Sequence, residues 1–321
     1  MVRYANRSGA VVAMLVLAGL FGCAAEEKQA PAQDVMVTAN VVYGHKFGMA
    51  LTFDVFRPRE SNGAAVIFMN SGGFESGVLR QCKQVGDQWE FVKKDTLMIP
   101  QAPMHLPLLE QFSFEDLLAA GFTVFDVRHG SSPKFTLDEI VEDCRSAVRF
   151  IKENAADFPV DPDRIGLWGA SAGGYLAIFV GATADETDGA STRVKAIAVY
   201  YPAGFDWLAT VESFPMVQEN LPSIQIDSEI LETLSIKDYL SPDDPPLLVI
   251  HGDQDFPFIT AASESLVAGF QGQGCEAKVV VFPETGHEFS GAEGYNEEYG
   301  EKAMAELVEW FQGHLGAQLP Q

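Results

Sequence analysis

The sequence predicts an α/β domain: a mostly parallel, doubly wound sheet of eight strands with helices on both faces. Three observations lead there. Short apolar runs such as Ala64–Met69 (AAVIFM) and Pro246–His251 (PLLVIH) recur along the chain, as strands covered on both faces require. Segments of helical pattern separate them. The composition, 47% hydrophobic and 21% charged over 321 residues, holds enough apolar material for one large core.

Taken in order, the first 22 residues stand apart from the fold. Arg3 and Arg7 make a positive start, Ala10–Leu20 (AVVAMLVLAGL) is an apolar stretch too short for a stable bilayer span, and Leu20-Phe21-Gly22-Cys23 follows. This arrangement resembles a bacterial lipoprotein signal with its lipobox, which makes residues 1–22 a signal peptide and Cys23 the lipidated first residue of the mature chain. Phe21 departs from the small or β-branched residue usual there, and a secretory signal cut near Ala24 or Ala25 is the alternative. Residues 23–35 are polar and read as a tether, and residues 36–318 as the folded domain. The expected location is the bacterial cell envelope: lipid-anchored, on the outer membrane of a Gram-negative cell, or otherwise periplasmic or secreted.

Val37–Tyr43 and Ala50–Phe56 read as two antiparallel strands, the second alternating at Leu51, Phe53 and Val55. Ala64–Met69 and Gly121–Val127 (GFTVFDV) are buried parallel strands. Thr136–Phe158 is a helix, with Ile140, Val141, Cys144, Ala147, Val148 and Ile151 on one face and a capping box from Thr136 and Glu139. Arg164–Trp168, Val194–Tyr200, Pro246–His251 and Ala277–Phe282 complete the strands, and Lys302–His314 closes the chain as an amphipathic helix. Two long connections are candidate pocket or cap insertions: 77–112, with Trp89 and Phe91, and 203–241, with Phe205, Trp207 and Phe214.

Lys and Arg number 21 against 45 Asp and Glu, a formal net charge of −24. Such a surface repels phosphate backbones, so nucleic acid is not an expected partner, and the lipid anchor is the expected membrane contact. Beside Cys23 stand Cys82, Cys144 and Cys275, an odd number without metal-ligand spacing. Cys144 lies on the apolar helix stripe, where an inert buried thiol is expected, while a disulfide of Cys82 is left open. With no metal cluster, Walker loop or dinucleotide fingerprint, the expected chemistry needs no metal or cofactor.

That chemistry starts at Gly169-Ala170-Ser171-Ala172-Gly173. The G-x-S-x-G pattern follows the strand RIGLW and precedes the helical run YLAIFVGA, so the chain must turn sharply from strand into helix. The flanking glycines permit that close passage and hold Ser171 at the carboxyl edge of the sheet, facing the positive end of the helix. A serine so held is a nucleophile.

In these motifs the chain resembles the α/β-hydrolases, and among them the carboxylesterases of the hormone-sensitive-lipase and dienelactone-hydrolase-like branches. The resemblance spans about residues 36–316. It is strongest in Asp161–Leu176 (DPDRIGLWGASAGGYL), with support from His251–Asp255 (HGDQD) and Glu284–Phe289 (ETGHEF). It implies a triad in the chain order serine, acid, histidine. Asp255, the second aspartate of HGDQD, is the implied acid, and Asp253 is the alternative. His287 is the implied general base; His314, the other histidine beyond Asp255, lies in the closing helix. The resemblance also implies an oxyanion hole formed by the amides of Gly72, Gly73 and Ala172. Asn70-Ser71-Gly72-Gly73-Phe74 stands where the family has HGGGW or HGGGF. Asn70 and Ser71 replace the histidine and first glycine, which leaves the loop's anchoring hydrogen bonds open.

The expected protein is a serine esterase acting through an acyl-enzyme on a small-molecule or carbohydrate ester. An envelope location suits deacetylation of polysaccharide. Short acyl groups are expected, because residues 203–241, with Pro215, Pro222 and seven acids, are too broken and charged for a lipase lid. An S9-like serine peptidase and a non-catalytic envelope binding protein on a hydrolase scaffold are the alternatives. Oligomeric state is not legible.

Overall fold

Apolar strands that hydrogen-bond on both edges and are covered on both faces set the frame. The computed structural model describes residues 35–77, 81–86, 88–91, 112–184, 191–292 and 294–316. The expected signal peptide, Cys23 and residues 92–111 of the first insertion lie outside the described residues, as does the expected tether up to residue 34.

The main sheet contains β1 (Val35–Lys46), β2 (Met49–Pro58), β3 (Ala65–Met69), β6 (Thr123–Val127), β7 (Ile165–Ala170), β8 (Ala196–Tyr200), β9 (Leu247–Gly252) and β10 (Ala277–Phe282). These are the eight expected strands, in the order β1-β2-β6-β3-β7-β8-β9-β10. β1 and β2 pair antiparallel, β2 runs antiparallel to β6, and all later pairs are parallel. Every residue of β3, β6, β7, β8 and β9 is buried, whereas edge strand β10 exposes Val279 and Val281.

Two short antiparallel hairpins add to the expected elements: β4 (Cys82–Val85) with β5 (Gln88–Phe91), and β11 (Ser290–Gly291) with β12 (Gly294–Tyr295). The β1 strand begins at Val35, one residue inside the expected tether.

The helices are α1 (Glu115–Ala119), α2 (Leu137–Glu153), α3 (Ala172–Ala182), α4 (Trp207–Ser213), α5 (Pro215–Asn220), α6 (Ser228–Thr233), α7 (Pro257–Gly272) and α8 (Glu297–Leu315). The expected capping box starts α2, with the Thr136 amide donating to Glu139 Oε2 at 3.0 Å. Residues 203–241 break into α4, α5 and α6 for legible reasons. Asp206 caps α4 by accepting from the Ala209 amide at 3.1 Å, Pro215 opens α5, and Asp227 accepts from the Glu229 amide at 2.8 Å at the start of α6. Cys82, Cys144 and Cys275 are free thiols, and Cys144 is fully buried as expected.

Candidate active site

The site is built on the turn from β7 into α3. Ser171 caps α3 with φ 52° and ψ −119°, a backbone conformation that non-glycine residues rarely adopt. The glycines around it allow the helix to begin directly against the sheet. A Cβ on Gly169 would stand 2.2 Å from the Gly173 carbonyl oxygen, and one on Gly173 would stand 2.2 Å from that of Met69. Side chains at either position would force helix and strand apart and carry Ser171 with them.

His287 arrives from the loop after β10 and meets Ser171 from above, with Nε2 3.1 Å from Ser171 Oγ. Its Nδ1 lies 2.9 and 3.1 Å from the two carboxylate oxygens of Asp255, which follows β9. The Asp255 side chain is fully buried, and its Oδ1 also accepts from the Phe256 amide at 2.6 Å. A buried carboxylate held this way fixes the ring orientation and stabilises an imidazolium, so Nε2 is set to take the serine proton. Tyr201 and Phe256 pack on the imidazole, with ring centroids 4.5 and 5.4 Å away.

The alternative acid is otherwise engaged: Asp253 Oδ1 accepts from the Glu284 amide at 2.7 Å. His314 is tied to its own helix α8. It stacks on Trp310 at 4.2 Å, with Nδ1 2.8 Å from the Trp310 carbonyl. His251 is buried at the end of β9, its Nδ1 2.9 Å from Gly252 O.

The expected oxyanion donors divide. Ala172 is the first residue of α3, so its amide has no carbonyl of an earlier helical turn to reach. Gly73, at φ +56°, lines the cavity beside Ser171 and donates its amide to no acceptor among the described residues. Gly72 is a correction. Its amide donates to the Glu75 carbonyl at 2.9 Å, in a bridge that the Glu75 amide closes in return, and it is therefore not available to an oxyanion. The replaced residues do anchor the loop. Asn70 Nδ2 donates to Gly77 O at 2.6 Å and to Asp126 Oδ1 at 2.9 Å, and Ser71 O accepts from the Gly173 amide at 3.2 Å.

Two lobes open on either side of Ser171. The smaller, about 230 Å³, is apolar, walled by Phe74, Trp207, Val217, Leu221, Phe258 and Ile259. The larger, about 580 Å³, is the more polar of the two, with Asn70, Glu75, Ser76, Tyr201 and Glu288 among a lining that also includes Phe68 and Phe112. Residues 203–241 thus wall the cavity through Trp207, α5 and the turn after it. Trp89 and Phe91 do not: they lie on the β4–β5 hairpin, and Phe91 packs on Phe56 at 5.7 Å.

Residues 109–269, half of the chain, match the protein family BD-FAE. The chain belongs to the BD-FAE family. Among curated proteins, this BD-FAE member is similar to the esterase LipQ of Mycobacterium tuberculosis, 26% identical over 184 residues that are 54% of this chain and 42% of LipQ. The chain spans less than half the length of the curated relatives it matches.

Among solved structures it is similar to a truncated carbohydrate esterase from gut microbiota, with a TM-score of 0.64, 20% identity, and coverage of 88% of this chain and 96% of that one. It is likewise similar to apo Thermogutta terrifontis esterase 2, with a TM-score of 0.66, 19% identity, and coverage of 91% and 97%. The BD-FAE chain thus has the α/β-hydrolase fold.

Sequence reasoning missed two parts of this site. One is the pair of residues packed on His287, Tyr201 and Phe256. The other is Asp126, read only as a residue of a buried strand. The polar residue inside the apolar run GFTVFDV was the available signal.

Proposed function

We propose that this protein is a serine carboxylic ester hydrolase that works through an acyl-enzyme and prefers short acyl groups. The observation that carries the reading is the chain of contacts from Ser171 Oγ through the His287 ring to the buried Asp255, at the junction of an apolar and a polar lobe. Ser171 Oγ attacks the ester carbonyl while His287 Nε2 takes its proton. The tetrahedral oxyanion accepts hydrogen bonds from the Ala172 and Gly73 amides. As the intermediate collapses, His287 returns the proton to the departing alcohol, and a water activated by the same ring then hydrolyses the acyl-enzyme.

The apolar lobe holds the acyl group. At about 230 Å³ it falls below the roughly 300–1,000 Å³ of drug-sized ligand sites, which favours a few carbons. The alcohol occupies the polar lobe, and a carbohydrate alcohol is in keeping with that lining and with the similar carbohydrate esterase. The chain is exported by residues 1–22, anchored through lipid on Cys23 and held off the membrane by residues 23–35, with 36–318 as the hydrolase domain.

A fluorophosphonate probe and a panel of p-nitrophenyl esters, run beside acetylated xylan and a peptide amide, test the activity. Wild-type protein should label and hydrolyse esters, and Ser171→Ala should do neither. Turnover of the amide alone, or labelling that survives in Ser171→Ala, would refute the reading. Cys23→Ser in the native host should abolish membrane attachment and spare turnover; a mature chain found without lipid would refute the anchor.

A further inference from the structure

The loop of residues 71–77 presents the Gly73 amide to the reacting centre, and its base is closed by one side chain. Asn70, 5% exposed at the end of β3, reaches both sides of that base: Nδ2 bonds Gly77 O at the loop's far end and Asp126 Oδ1 in the neighbouring strand β6. Its own amide donates to Val127 O at 3.2 Å. The remaining ties go to the same platform. The Ser76 amide donates to Ser131 Oγ at 2.9 Å, and the Ser132 amide donates to Phe74 O at 3.0 Å. The loop is therefore registered against the end of β6, and among the described residues Asp126 is the side-chain acceptor that Asn70 reaches.

We propose that Asn70 and Asp126 are positioning residues for the oxyanion hole: the buried carboxylate holds the Asn70 amide, which holds the loop at the height where the Gly73 N–H meets the developing oxyanion. The inference rests on the esterase reading above.

Asp126 is 1% exposed, a costly place for a carboxylate that served packing alone. Arg128 faces it at 3.9 Å but is shared, since its guanidinium is bonded bidentately to Asp54 of β2 at 2.7 and 2.8 Å. The other titratable neighbour is the Cys82 thiol of β4, which burial and the two aspartates push up to about 11 and keep neutral. Burial pushes the Asp126 carboxyl up to about 7, against the pull of Arg128 and of the Asn70 hydrogen bond, with Asp54 adding to the rise. Its grip on Asn70 is charge-assisted when ionised and weaker when protonated.

A positioning role and a filling role separate in the kinetics. The full-length protein is assayed on p-nitrophenyl acetate, with active sites counted by fluorophosphonate stoichiometry so that unfolded protein drops out. A trifluoromethyl ketone, which forms a tetrahedral adduct on the serine, probes the hole directly.

Asn70→Ala and Asp126→Ala should lower kcat per titrated site at least tenfold, toward the roughly 100-fold that loss of an oxyanion donor costs. KM should stay within about threefold, and the ketone should bind more weakly by the same factor as kcat falls. Asp126→Asn, which keeps an acceptor for Asn70, should recover most of that loss. Should Asp126→Ala not fold, Asn70→Ala carries the test, because it leaves the strand intact.

Unchanged kcat and ketone affinity per titrated site in Asn70→Ala, with only a lower Tm, would overturn the proposal. So would a rise in KM that accounts for the whole effect. Wild-type protein that neither labels nor hydrolyses ester would overturn the esterase reading itself, a result distinct from either.

Discussion

Asp253 and Glu284 are joined by a hydrogen bond of 2.7 Å from the Glu284 amide to the Asp253 carboxylate, so the two aspartates of HGDQD brace the same loop at different points. Asp253 holds the loop's entry and Asp255 the histidine at its tip, 2.9 Å away. Asp255→Asn is therefore expected to lower kcat by about 10³–10⁴, because the amide favours the wrong imidazole tautomer. Asp253→Asn keeps an oxygen that can accept from Glu284 and should cost less than about tenfold. Steady-state kinetics with titrated active sites check both, and the reverse ranking would assign the acid to Asp253.

The glycines of the oxyanion loop should separate just as clearly. A Cβ on Gly72 meets nothing within 4 Å, and its amide is already bonded to Glu75. Gly72→Ala should therefore leave kcat within a few-fold of wild type. Gly73 sits at φ +56°, where an alanine is strained, and its amide faces the cavity. Gly73→Ala should lower kcat by about tenfold or more, with KM little changed. Equal losses in the two variants would mean that the bridge to Glu75 opens during turnover.

Acyl-chain selectivity should be limited by the wall that Trp207, Val217 and Leu221 make. We expect kcat/KM to peak between acetyl and butyryl esters and to fall by octanoyl. Leu221→Ala should move the optimum toward longer chains. Each methylene newly accommodated gains about 0.8 kcal/mol, roughly fourfold in kcat/KM. An optimum at ten carbons or more in the wild type would contradict this.

Two buried groups at the end of β6 should shape stability against pH in opposite senses. Burial pushes His129 down to about 4, with the Gly130 carbonyl and Asp143 opposing and Lys46 adding to the fall. The unfolded chain therefore binds the extra proton first, and stability is lost as pH falls from about 6.5 to about 4, on the order of 3 kcal/mol. Asp126, raised to about 7, does the reverse: its contribution is present below the unfolded carboxylate range and is lost as pH rises through 7. In the wild type the two offset each other between about pH 4 and 6.5. Asp126→Asn should expose the acid-side loss, and His129→Gln should expose a loss with rising pH. Urea denaturation at intervals from pH 4 to 8 reads both slopes, and parallel slopes in the two variants would contradict the pairing.

The main sheet was legible because burial on both faces leaves its mark residue by residue: AAVIFM or PLLVIH has no other use in so acidic a chain. Ser171 was legible because a strand, a glycine-flanked serine and a helix within ten residues is a local pattern. What escaped left no periodic mark in the sequence. The β11–β12 hairpin has two residues per strand, too few for any alternation to register. The fate of the Gly72 amide turns on a bridge to Glu75 that glycine spacing does not encode. Asp126 meets Asn70 across 56 positions of sequence, and only the parallel pairing of β3 with β6 brings them together. The fragmentation of residues 203–241 into helices was foreshadowed by Pro215 and Pro222. Which of their side chains would face Ser171 was not, because that depends on how short helices pack.

The dihedral angles at Ser171 have a consequence for evolution under thermal stress. A non-glycine residue at φ 52° and ψ −119° holds roughly 1–3 kcal/mol of conformational energy that the rest of the fold must offset. Ser171→Gly releases most of it. Even after the added freedom of the unfolded chain is counted, this variant is expected to be about 1 kcal/mol more stable than wild type in urea denaturation. Ser171→Ala, which retains a Cβ, should gain nothing. The most direct route to a hardier molecule at this position is thus an inert one, and selection for endurance alone would discard the proposed nucleophile.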